Sequence, residues 1–187
     1  MRLALAAVVL LGVVACSDAS GPGIRGTISF AYTGGGGGSF NASGDARTLG
    51  APLPTSTSWV LGFVEEGETF IGASSPRSGG LVDMVILRIK RTGIGSESID
   101  PTCDTDGGVS CTGMVLYLNF NGNGDSADFY CSLTSGAIVL TEVTSSRAKG
   151  TFSGNGSCIA GSGGAPAAFA VSGGAFDVAL VPAPGGG

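Results

Sequence analysis

Apolar and polar side chains alternate with a period of two through much of this chain. In residues 26–34, GTISFAYTG, Ile28, Phe30 and Tyr32 share a face, and in residues 58–66, SWVLGFVEE, Trp59, Leu61 and Phe63 do the same. That period marks strands with one face buried, and it places Trp59 in the core. Residues 81–90, LVDMVILRIK, are nearly continuous in apolar and branched side chains, as a central strand covered on both faces requires. MVLYLNF lines up Met114, Leu116, Leu118 and Phe120. Residues 168–181, AFAVSGGAFDVALV, predict a β-hairpin turning at Gly173-Gly174, with Phe176, Val178 and Leu180 on one side. Further strands are expected at 38–45, 68–74, 127–133, 136–143 and 148–157.

No window carries a helical apolar stripe with caps. Glycine, 35 of 187 residues, is spread through turns and strand interiors, and each glycine costs a helix about 1 kcal/mol against alanine. About ten short strands divided by turn signals therefore predict an all-β domain. A single antiparallel β-sandwich is the expected form, with a partly closed β-barrel as the alternative. The five glycines at 34–38 read as a flexible loop joining the first two strands.

The first residues pose a different problem. Arg2 supplies a positive start, and residues 3–15 are an apolar run too short to span about 30 Å of hydrocarbon as a helix. The run ends at Val13-Val14-Ala15-Cys16 and turns polar at once. This segment resembles the lipobox of bacterial lipoproteins, in which cleavage precedes the cysteine and the thiol receives a diacylglycerol. The resemblance implies a signal peptide at 1–15, lipidation of Cys16 and a tether at 16–24, followed by a β-sandwich domain at 25–182 and a flexible tail at 183–187. Two or three acyl chains such as palmitate, at about 0.8 kcal/mol per buried methylene, make such an anchor stable. Ser17 in place of an aspartate after the cysteine resembles outer-membrane cargo of double-membrane bacteria. At the other end, Gly150-Thr151-Phe152-Ser153 followed by Gly174-Ala175-Phe176-Asp177-Val178 resembles uncharacterised all-β lipoprotein domains of bacteria, which lends support to the fold alone.

Loss of residues 1–15 leaves 172 of 187, enough for one domain with a sizeable core. Arg2 departs with them, so 9 basic residues become 8 against 14 acidic, a net charge near −6. An acidic chain whose largest basic cluster is Arg88-Ile89-Lys90-Arg91 is a poor partner for phosphate backbones, so no nucleic-acid binding is expected. Cys103, Cys111, Cys131 and Cys158 are an even set in an exported chain and read as two disulfides, with three possible connectivities. Pairing Cys103 with Cys111 and Cys131 with Cys158 is favoured, because Gly107-Gly108 gives the first loop its tight return. Zinc is excluded by these spacings and by the absence of histidine.

The same absence removes Ser-His-Asp and Cys-His catalysis. Ser146-Arg147-Ala148-Lys149 matches S-x-x-K, Ser39-Phe40-Asn41 matches S-x-N and Arg91-Thr92-Gly93 approximates K-T-G, but their order differs from that of penicillin-recognising enzymes and the lysine pattern falls in a turn. Glu65-Glu66-Gly67-Glu68 could supply paired carboxylates but reads more simply as the solvated tip of a hairpin. Asp104, Asp106, Asn121, Asn123, Asp125 and Asp128 are oxygen donors at alternating positions, yet turn geometry asks for the same residues, and no metal or cofactor is expected. A sugar-binding face would need exposed aromatics, for which Tyr117 and Tyr130 are the candidates. The expectation is a non-enzymatic, lipid-anchored envelope protein. It meets the membrane through Cys16 and an unknown envelope protein or glycan through its loops. A module for carbohydrate or a small apolar ligand is the alternative.

Overall fold

The structure, a computed structural model, describes residues 25–45, 57–103, 110–120 and 127–182. Cys16, the leader, the tether, the tail and five of the six oxygen donors (Asp104, Asp106, Asn121, Asn123 and Asp125) lie outside the described residues. Among those described, ten strands form one sheet: β1 (Arg25–Thr33), β2 (Gly38–Asp45), β3 (Trp59–Glu65), β4 (Glu68–Pro76), β5 (Val82–Ile89), β6 (Gly95–Ser98), β7 (Gly113–Phe120), β8 (Phe129–Val143), β9 (Arg147–Ala160) and β10 (Ala167–Val181). A 3-10 turn at Ser78–Gly80 interrupts them. No helix among the described residues is long and apolar enough to cross a membrane.

The expected all-β antiparallel architecture is present. Strand order runs β2-β1-β10-β3-β4-β5-β7-β8-β6, and β9 pairs with both β8 and β10, which brings the sheet back on itself. The closure is uneven. β9 holds long antiparallel ladders to β8 and β10, whereas β10 meets β3 in parallel through Leu180↔Gly62 and Val181↔Phe63 alone. The sandwich is thus one sheet folded over its core, joined on one side by a short seam.

Inside lies one apolar cluster. Phe30 and Phe40 stack at 5.0 Å, Phe152 meets Phe30 edge-on at 5.4 Å, and Ile71, Val85, Leu87, Leu116, Ile138 and Leu140 are wholly buried. Cys131 and Cys158, opposite each other on β8 and β9, are bonded within this cluster. Cys103 is bonded to Cys111 at the margin.

Three expectations about the strands change. β10 is one strand and not a hairpin: Gly173 has φ 60°, but the ladder to β9 continues after a single register shift between Val171 and Gly174, so the glycine makes a bulge. The strands expected at 127–133 and 136–143 are likewise the single strand β8, whose ladder to β9 shifts register between Leu133 and Ser135, just before Gly136 with φ 125°. In β3 the residue that joins the core is Val60, cross-strand from Ala73; Trp59 and Leu61 are buried on the opposite, outer face, with the indole of Trp59 against Gly72. The glycine loop is closely packed at its start and open at Gly36 and Gly37: a Cβ on Gly35 would stand 2.9 Å from Leu118 Cδ1 and 3.5 Å from both sulfurs of the inner disulfide, whereas one on Gly36 would meet nothing within 4 Å. With φ 58° at Gly35, only glycine meets both demands.

Candidate functional site

Register places one row of side chains across the outside of the sheet. Met84 of β5 is opposite Tyr117 of β7, Tyr117 opposite Tyr130 of β8, and Tyr130 opposite Ile159 of β9. The two tyrosine rings meet edge to face at 5.3 Å. Tyr130 is 37% exposed and Ile159 41%, both large values for such residues. The aromatics proposed from sequence for a sugar-binding face are therefore together, in contact and at the surface; Trp59 and Tyr32 are buried elsewhere.

One step along the same strands the row gains polar neighbours. Asn119 adopts φ 54°, a left-handed conformation that asparagine tolerates better than most residues. Its backbone N–H donates to Asp83 Oδ1 at 3.1 Å, and Asp83, buried to 2% exposure, also accepts from Arg77 Nε at 2.7 Å. Its side-chain Nδ2 donates to Asp128 Oδ2 at 2.9 Å. The left-handed residue ends the alternation of β7, so Phe120 turns from the expected core row toward Tyr117, 6.1 Å away. On the other side of the row are Ser132 and Ser157, a cross-strand pair. Asp83, Arg77 and Asn119 were missed in the sequence; an asparagine at the end of an apolar strand was the available signal.

Arg77 also reaches the Tyr32 hydroxyl at 3.5 Å. Burial, and then the Asp83 charge, raise the Tyr32 pKa, while Arg77 opposes them. This chain of contacts ties the β1–β2 hairpin to the loops between β4 and β5 and after β7.

The residues of the S-x-x-K, S-x-N and K-T-G matches lie on different elements. Lys149, the lysine of the S-x-x-K match, pairs with Glu142 at 2.9 Å on the surface. Ser146 lies in the β8–β9 turn, where its carbonyl accepts from Leu180 N, and Ser39 and Asn41 are on β2. Arg147 grips Asp177 with both ends of its guanidinium at 2.6 Å. These hydrogen bonds lower the Asp177 pKa against the opposing effect of burial. Among the described residues no group of three or more His, Cys, Asp or Glu converges as a metal site would require.

The acidic stretch behaves differently from a solvated tip. Glu66 and Gly67 form the β3–β4 turn with φ 49° and 87°, but Glu68 is 4% exposed and accepts from Arg88 Nε at 2.7 Å. Arg88 in turn lies 5.3 Å from the centre of the Phe70 ring, a cation–π contact. Burial raises the Glu68 pKa, but the Ser110 hydroxyl, Arg88 and the backbone N–H of Cys111 outweigh it, so the net shift is downward.

Because the folded pKa lies below the unfolded one, Glu68 adds stability that is complete above the ordinary glutamate range and disappears on acidification through the folded value. Urea midpoints are therefore expected to be flat from about pH 7 to 5 and to fall below about pH 4.5. Glu68→Gln should flatten that acid limb, and an unchanged limb would assign it to other carboxylates.

An open cleft of about 550 Å³ lies beside the seam, lined among the described residues by apolar Val64, Val143, Leu180 and Val181 and by the hydroxyl-bearing Thr92, Thr144 and Ser145. Comparison with protein-family models, curated proteins and solved structures finds no significant match to this chain.

Proposed function

We propose that this chain is a lipid-anchored, non-enzymatic protein of the bacterial cell envelope, held at the membrane through Cys16 and meeting envelope protein or glycan through its folded domain. The observation that carries the reading is the apolar run that ends at Val13-Val14-Ala15-Cys16 ahead of a disulfide-bonded domain. It is supported by the ion pairs Arg88–Glu68, Arg147–Asp177 and Lys149–Glu142, each of which holds neighbouring strands together. The chain enters at Arg25, beside Asp45 and two residues before the Thr27↔Asp177 pair, close to where β10 ends at Val181. The Gly34–Gly37 turn, the Arg77 loop and the Asn119–Asp128 pair are at the opposite end of these strands, so a tether leading to Arg25 presents them away from the bilayer. The carbohydrate-binding alternative is favoured by one observation, the Tyr117–Tyr130 row.

The anchor is tested by the intact mass of the protein extracted from membranes. The expected mass is that of a chain beginning at Cys16, increased by a diacylglycerol group and decreased by the four hydrogens of two disulfides. Cys16→Ser is expected to lose the lipid and the cleavage together. A parent lacking acyl mass would refute the anchor.

A further inference from the structure

We propose that the outer row formed by Tyr117, Tyr130 and Ile159, with Asn119 and Asp128 beside it, is a binding platform for a neutral glycan. This rests on the reading of the protein as an envelope binding protein and names its ligand class and site. A sugar ring has an apolar C–H face surrounded by hydroxyl groups. It needs an apolar surface, for which one exposed ring face suffices, with donors and acceptors at its edge, because orientation and specificity come from a few placed polar groups.

The sheet supplies both. Tyr117 and Tyr130 are held edge to face at 5.3 Å, so one ring steadies the other, and Ile159 extends the surface onto the next strand. At the edge are the amide of Asn119 and the carboxylate of Asp128, joined at 2.9 Å, and on the far side the hydroxyls of Ser132 and Ser157. The platform is set in advance of any ligand. Asn119 keeps its left-handed backbone through the bond from its N–H to the buried Asp83, which Arg77 also holds. Pre-set geometry lowers the ordering cost of binding.

Two observations select a glycan over other occupants. On this face strong apolar exposure among the described residues is limited to Tyr130 and Ile159, with polar side chains on both sides, while the more exposed Ile94, at 67%, lies apart from it just before β6. A stable protein interface, a second copy of this chain included, covers about 800 Å² per partner with an apolar centre. Those polar neighbours, Asn119, Asp128, Ser132 and Ser157, include a carboxylate and no cation, and the chain carries a net charge of −5, so an anionic polymer is repelled.

The test is titration of the full chain in detergent micelles with short neutral oligosaccharides of glucose and of N-acetylglucosamine, alongside an oligogalacturonate, read by saturation-transfer NMR and calorimetry. Saturable binding of at least one neutral series is expected, with none to the acidic one. Tyr130→Ala should weaken it about tenfold or more, the loss of one aromatic face, while Tyr130→Phe should stay near the parent. Ile159→Arg, which sets a long charged side chain on the platform from the surface, should abolish binding with the melting temperature preserved. It keeps the test open if Tyr130→Ala fails to fold. The proposal is overturned if no neutral series saturates, if the acidic one binds equally, if Ile159→Arg binds like the parent, or if the face is covered by dimerisation. These outcomes are separate from the anchor: a chain without lipid on Cys16 that still binds sugar refutes the membrane attachment alone, and an acylated chain that binds none refutes the platform alone.

Discussion

Arg88→Met alone is expected to destabilise the protein by roughly 3–5 kcal/mol, the usual cost of stripping a buried charge of its partner. Glu68 and Arg88 have side chains only 5% and 8% exposed, and the 2.7 Å contact between them is closed over by Phe70. With the guanidinium gone, Glu68 must either remain charged away from water or take up a proton. The sign of the pH response should therefore reverse. In the parent, acidification removes stability at Glu68, whereas in the variant it relieves the unpaired carboxylate and narrows the gap to the parent. Adding Glu68→Gln to Arg88→Met should recover most of the loss, because an apolar or neutral replacement of both partners avoids the stranded charge. Urea unfolding of the parent, both single variants and the double variant completes the cycle. A single-variant loss below about 1 kcal/mol would mean that water reaches the pair as it does at the surface.

The second large effect concerns the inner disulfide. Cys131 and Cys158 are separated by 27 residues and Cys103 and Cys111 by 8. Loop-closure entropy assigns the longer bridge roughly 3.5 kcal/mol and the shorter roughly 2.5. Packing widens the difference. The inner bridge is surrounded by Leu118, Gly35 and the core cluster, so replacing both cysteines by alanine also removes buried contacts there. The Cys131→Ala, Cys158→Ala chain should melt about 10 °C below the parent, given some 2–4 °C per kcal/mol at this size. The Cys103→Ala, Cys111→Ala chain should lose less. Equal losses from the two pairs would show that the position of the inner bridge in the core adds nothing.

Much of the fold could be read from the chain, because a period of two with glycine at the turns leaves few alternatives. Ile28, Phe30 and Tyr32 occupy the core face that alternation assigns them, as do Met114, Leu116 and Leu118. Alternation alone, however, cannot choose which of two faces is inside when both are apolar. In β3 the bulkier set, Trp59 and Leu61, lies outside while Val60 faces in, because the pairing of Val60 with Ala73 sets the phase. Gly173-Gly174 has the composition of a turn and becomes a bulge, since β9 runs alongside without a break and keeps both halves of β10 in one ladder. Long-range pairing of that kind leaves no mark in a local window. β6, four residues with no large apolar side chain, has no pattern to detect.

The site was legible in part. Tyr117 and Tyr130 stand out as aromatics off the apolar phase of their strands, but their contact depends on register between β7 and β8. The burial of Glu68 was concealed by the company of Glu65 and Glu66, which suggests a uniformly solvated tip. Only its partner across the sheet, Arg88, shows that one of the three belongs to the interior.

The sheet's return upon itself bears on how copies of the protein meet one another. Strands that have neighbours on both sides offer no template to another molecule, and in the closed part of this sheet most backbone donors are already committed. β6, one of the two strands at the ends of the pairing order, is four residues long and carries Glu97. The other end strand, β2, is eight residues long and paired, among the described residues, to β1 alone, so strand-to-strand contact between copies would have to begin there.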